Sequence, residues 1–230
     1  TVDNAIIEHE WGHYITRRLA HGLYDNSQGR SMGEGWGDFI ALLNMVREED
    51  QFLAGNNLWQ GVYNDGGYSI AGGYVDHAYY FGLRRAPYST DMNVNGLTFK
   101  HIEDQVPLPT HHPISGGSFA ESGGYNSEVH AAGEIWAIAM WESYAALLNR
   151  PALSFNEAKR RMLDYIVAGL KITPPSPTFT EARDAMLAVA LANDIQDYYA
   201  FRQAFTKRGM GVAAVSPDRN DPGFDGTATS

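Results

Sequence analysis

The chain contains no cysteine. That excludes disulfides, thiolate metal ligands and a cysteine nucleophile together, so any metal must be held by histidines and carboxylates. The absence is compatible with an exported bacterial protein and does not by itself set the compartment. Long apolar runs are missing too. The densest, Ile135 to Trp141 and Ala185 to Ala192, fall well short of the roughly 18 to 20 residues that span a bilayer. Basic residues are scarce, 17 against 27 acidic, for a net charge of −10. A phosphate backbone or an anionic membrane surface would on balance repel such a chain, so neither is expected as a partner. The opening residues Thr1 to Ile7 lack the basic start and apolar core of a signal peptide. With 44% hydrophobic and 19% charged residues over 230 positions, the chain is apolar enough to fold as one large domain or two small ones.

Val2, Ile6, Ile15 and Leu19 follow helical spacing, with Asp3 or Asn4 as a cap, and predict a first helix over about 4–21. After the turn-rich segment 24–29, a second helix is expected over about 33–47. From 49 to about 128, Gly, Tyr, Asn, Pro and Ser break every period. This reads as a long ordered loop region, with a helical turn near 76–83. Helical periodicity returns over about 128–149, 155–171, 178–193 and 197–207, predicting a bundle. The residues from 216 to 230 read as a linker or fraying end.

The chemistry concentrates in His9-Glu10-Trp11-Gly12-His13. Residues four apart on a helix are turned by about 40° and lie roughly 6 Å apart along the axis, so both imidazoles can meet one ion. Zinc held by neutral imidazoles acidifies its water to a pKa of about 7, and a neighbouring carboxylate, Glu10, can take the proton. Glu34, in Gly33-Glu34-Gly35-Trp36-Gly37-Asp38, supplies a third ligand from the next helix. Asp38 shares its face and can accept a hydrogen bond from the far nitrogen of a liganding histidine. Three protein ligands leave one position open, the mark of a catalytic site. His21, His77, His101, His111 and His112 have no companion at ligand spacing and read as surface or loop residues.

The His-Glu-x-x-His pair followed by Glu34-x-x-x-Asp38 resembles the thermolysin-type zinc peptidases, and further stretches resemble the fungalysin family. Those stretches are Met32 to Phe39, Gly82-Leu83-Arg84 with Pro87-Tyr88-Ser89-Thr90, Glu128 to Ala137, and Ala204 to Gly211. The resemblance spans residues 1 to about 215. It implies a mainly α, zincin-like architecture: the active-site helix and C-terminal helical lobe of a thermolysin-like catalytic unit, with a long irregular loop region. It implies one Zn²⁺ per chain on His9, His13 and Glu34, with Glu10 as general base. His130 would be the electrophilic partner of the oxyanion, a role an imidazole outside the metal's ligands can fill as negative charge develops. Tyr24 resembles the tyrosine that assists the oxyanion, one residue farther from Glu34 than in that pattern. Arg84 would grip the substrate carbonyl, with Arg85 as its rival. Glu134 shares a face with His130 and is expected to pair with it, the alternative being a second metal pair.

The chain departs from the thermolysin pattern in three ways. Tyr125 stands where an acidic residue precedes the oxyanion histidine, with Glu128 as a possible substitute. The acidic calcium ligands have no clear matches, so calcium is not carried over. The β-rich lobe that precedes the active-site helix in the family is expected to be absent from these residues. The resulting expectation is a secreted zinc endopeptidase acting on polypeptides, with an N-terminal lobe or pro-segment as a partner. Its rivals are a zinc-binding module that does not turn over without that lobe and an aminopeptidase, for which no amine-binding motif is found.

Overall fold

The computed structural model describes residues 3–71, 77–115 and 124–230. Among them are eight α-helices and no β-strand, with two isolated bridges, Tyr63 to Tyr88 and Val215 to Ala228. The expected mainly α architecture is what folds.

α1 (Asn4–Leu19) starts where the Asp3 side chain accepts the Ala5 amide, and Arg17 and Arg18 in its last turn suit the negative end of the helix dipole. Val2, part of the expected apolar spacing, lies outside the described residues. α1 buries a single stripe, Ala5, His9, Gly12 and Thr16, so the first metal-ligand candidate sits on its inward face. α2 (Ser27–Met45) begins earlier than its apolar pattern predicts. Asn26, read as part of a turn, is the cap and accepts the Gly29 amide at 2.7 Å. Two four-residue helices, α3 (Gly67–Ile70) and α4 (Ala78–Phe81), interrupt the irregular region, α4 within the expected helical turn; position 76 lies outside the described residues.

α5 (Val129–Leu148), α6 (Phe155–Ile172), α7 (Phe179–Asn193) and α8 (Ile195–Lys207) lie within about two residues of their predicted bounds. Every residue of α5 from Ala131 to Ala145 is buried, which makes it the central helix of the lobe. An aromatic cluster of Trp36, Trp136, Phe179 and Phe205 joins it to α2, α7 and α8. Arg208, wholly buried beyond α8, donates to the Ser89, Asn95 and Leu97 carbonyls and to Glu142. It thereby satisfies loop carbonyls that no ladder reaches, and orders part of the irregular region.

Residues 216–230 are no fraying end. Phe224 is fully buried against Phe179, Gln28 donates to the Pro217 carbonyl, and Ser230 donates its amide to the Gly209 carbonyl. A segment rich in Asp, Gly and Pro folds back because one aromatic anchor and several backbone bonds hold it.

Candidate metal centre

Three helices approach unusually closely at glycines. A Cβ on Gly12 of α1 would lie 2.7 Å from Gly37 Cα of α2, and one on Gly35 of α2 would lie 2.3 Å from the Gly133 carbonyl oxygen of α5. Side chains at these crossings would hold the helices apart. With hydrogen there, α1, α2 and α5 bring His9, His13, Glu34 and His130 to one place.

His9 Nε2 lies 3.1 Å from His13 Nε2 and 3.2 Å from Glu34 Oε2, and His13 Nε2 lies 3.5 Å from that same oxygen. Bonds of about 2.0 to 2.1 Å from a tetrahedral ion would set such atoms roughly 3.3 Å apart. The donor triangle therefore fits a small divalent cation without rearrangement. Glu10, the next residue along α1, is exposed and borders a shallow cavity of about 500 Å³ with Ile7, Glu8, Trp11 and Tyr14.

The far nitrogens of both histidines are held. His9 Nδ1 is 2.7 Å from Asp38 Oδ1. His13 Nδ1 is 3.1 Å from the Tyr24 hydroxyl, itself 2.7 Å from Thr16 Oγ1, which donates to the Gly12 carbonyl. The order His13 Nδ1–H to Tyr24, Tyr24 O–H to Thr16, and Thr16 O–H to Gly12 leaves the His13 Nε2 lone pair facing the triangle. Tyr24 is thus found behind His13, on the far side of its ring from the triangle.

Arg84 is buried, with Nε and Nη2 on the two oxygens of Asp38 at 2.6 and 2.5 Å, and the Tyr88 hydroxyl also donates to Asp38. Arg84 anchors the carboxylate that orients His9. Its neighbour Arg85 turns the other way and holds the start of α5, donating its backbone amide and Nε to Glu134, Nη1 to Asn126, and Nη2 to the Ala131 carbonyl. The expected pairing of Glu134 with His130 is corrected by this contact, because Arg85 takes both Glu134 oxygens. Glu128 fills that place: its carboxylate accepts from His130 Nδ1 at 2.8 Å and caps α5 through the His130 and Ala131 amides. His130 Nε2 is 3.3 Å from Glu34 Oε2. His101 and His112, expected as surface or loop residues, lie in the irregular region and are buried, accepting the Thr98 and Gly96 amides.

The electrostatics favour a cation. Burial opposes charge on His9, but the carboxylates of Asp38, Asp65 and Glu34 outweigh it and push the imidazole up to about 12. Burial works to raise Glu34, and hydrogen bonds from His13 and His9 hold it below the ordinary carboxylate range. The Glu128 hydrogen bond raises His130 against the cost of burial. Asp65 is pushed up to about 6 by its burial and by the charge of Asp38. Nothing local in the sequence marks Asp65, a lone acid in an irregular stretch. A second group of three ligand atoms, on His9, Asp38 and Asp65, lies behind the first. Arg84 occupies both oxygens of Asp38 there, so the front triangle is the better cation site.

The sequence profile of the family described as fungalysin metallopeptidase (M36) matches residues 1–214. The chain belongs to the fungalysin metallopeptidase family. Among its relatives, extracellular metalloproteinase 2 of Trichophyton tonsurans is 25% identical over 228 residues, covering 91% of this chain and 30% of the relative. Extracellular metalloproteinase 1 of Trichophyton equinum is 28% identical over 238 residues, covering 94% of this chain and 32% of the relative. This fungalysin chain therefore spans about a third of the length of the relatives it matches. The match covers α1 and α2, which carry the donor triangle, and α5, which carries His130, and a metallopeptidase family accounts for a triangle of that size and charge. Among the described residues no helix is long and apolar enough to cross a membrane.

Proposed function

We propose that the protein is a secreted zinc endopeptidase that cleaves internal bonds of polypeptides, with His9, His13 and Glu34 holding one zinc ion per chain. The observation that carries this is the donor triangle of 3.1, 3.2 and 3.5 Å, with Glu10 following His9 in the chain and His130 Nε2 3.3 Å from Glu34 Oε2. Zinc, when bound, supplies a Lewis acid for the scissile carbonyl and lowers the pKa of water at the site to about 7.

The chain's own residues do the rest. Glu10 takes the proton of the attacking water and passes it to the leaving amine. His130, held by Glu128 and raised by it, donates from Nε2 to the oxygen on which negative charge develops. Asp38 and Tyr24 fix the two imidazoles so that each presents Nε2 to the metal. Tyr24 therefore assists by holding His13. Arg84 spends Nε and Nη2 on Asp38 and has Nη1 left for a substrate carbonyl. Secretion follows the relatives, whose names call them extracellular. An N-terminal lobe or pro-segment is the partner this reading assigns, since the relatives are about three times as long as the matched segment.

The test is cleavage of an unstructured protein and of peptides blocked at both ends, before and after chelation. Activity that disappears with a zinc chelator and returns with one equivalent of zinc is the expected result. Cleavage that survives complete metal removal, or is confined to free amino termini, overturns the reading.

A further inference from the structure

Behind His9 stand two carboxylates with opposite circumstances. Asp38 is saturated: Oδ1 receives His9 Nδ1 and Arg84 Nη2, and Oδ2 receives Arg84 Nε and the Tyr88 hydroxyl. Its charge is cancelled by the guanidinium that clasps it. Asp65 is fully buried, and among the described residues neither of its oxygens has a hydrogen-bond partner. It lies 3.6 Å from His9 Nδ1 and 3.9 Å from Arg84 Nη2.

We propose that Asp65 is a positioning residue of the metal centre: its carboxylate supplies, behind His9, the negative charge that Asp38 has lost to Arg84. The proposal rests on the reading of His9 as a metal ligand. With one guanidinium and two carboxylates in this pocket, the charge facing the His9 ring is −1; without Asp65 it is zero. Negative charge opposite Nδ1–H makes the imidazole a better donor at Nε2, and so tightens the hold on a cation. A role in stapling the fold does not explain Asp65. Among the described residues its side chain makes no hydrogen bond, only the longer ionic contacts to His9 and Arg84, and burying a carboxylate without a hydrogen bond costs free energy. The position is imposed by the backbone instead. Leu83 donates its amide to the Asp65 carbonyl at 2.9 Å, and Gly82, at φ +62°, leaves that oxygen room that a Cβ, 2.1 Å away, would take. The segment that carries Arg84 therefore also holds Asp65.

The experiment measures zinc affinity of the full chain by competition with a chromophoric chelator, for wild type, Asp65→Asn and Asp65→Ser. Both variants are neutral, and the smaller serine serves if asparagine fails to fold. Zinc binding is expected to weaken about 10- to 100-fold, as when a partner behind a ligand is removed. The thermal midpoint of the metal-free protein should stay level or rise, which loss of a purely structural residue would not produce. A folded variant whose zinc affinity lies within twofold of wild type overturns the proposal alone. A wild type that binds no stoichiometric zinc overturns the metal-site reading and this proposal with it.

Discussion

Replacing Glu10 by glutamine is expected to lower kcat for peptide cleavage about 10²- to 10⁴-fold, the range general-base catalysis contributes, with zinc content and KM near their wild-type values. The separation of effects follows from position. Glu10 is not part of the donor triangle, whose atoms belong to His9, His13 and Glu34. It lies about 60° around α1 from His13 and is exposed toward the cavity it shares with Trp11 and Tyr14. Glutamine keeps the shape and a hydrogen-bonding oxygen but does not carry a proton from water to the leaving amine. Steady-state kinetics with metal analysis on the same samples checks this. Unchanged turnover with zinc still bound would remove Glu10 from the proton path, and loss of zinc would mean that it helps to hold the metal.

Gly35→Ala should damage both the fold and the centre although Gly35 is not one of the donor residues. The new Cβ would lie 2.3 Å from the Gly133 carbonyl oxygen and 2.8 Å from Trp136 Cβ, and helix backbone cannot rotate away as a side chain tip can. Overpacking of a tight core costs about 1 to 3 kcal/mol, and backbone against backbone belongs at the upper end or beyond. For a chain of this size about 3 kcal/mol lowers the melting temperature by roughly 6 to 12 °C. The functional loss should exceed the stability loss. Glu34 is adjacent on α2, and moving α2 from α5 draws Glu34 Oε2 away from His130 Nε2, now 3.3 Å distant. Calorimetry and zinc titration of the variant decide it. A melting temperature within about 2 °C of wild type and an unaltered zinc affinity would mean that the glycine crossing does not set the geometry of the centre.

How much of this was legible in the sequence depended on the range of each interaction. His9, Glu10 and His13 announce themselves because their relation is local, one turn of one helix. The bounds of α5 to α8 came within about two residues because apolar periodicity and caps such as Thr178 and Asp194 are local signals too. The start of α2 was hidden because Asn26 serves equally in a turn and as a cap. Arg84 and Arg85 are neighbours of identical type that point to opposite ends of the centre, and no pattern distinguishes which one meets Asp38 and which Glu134. Glu134 sits at helical spacing from His130, but Arg85 claims it from a loop 49 residues away. Asp65 and Asp38 are brought together only by the packing of the irregular segment against α2. Phe224 gave no periodic signal, yet its burial is what turns the tail back onto the lobe.

If His9, His13 and Glu34 hold one zinc ion, metal content must follow those three side chains. Zinc bound per chain, measured by metal analysis after equilibration with a weak chelator, tests it most directly when wild type is compared with His13→Ala and Glu34→Gln. One zinc per wild-type chain, with binding lost or greatly weakened in both folded variants, is the predicted result. A wild type without stoichiometric zinc, or variants that retain it at full affinity, would contradict the account.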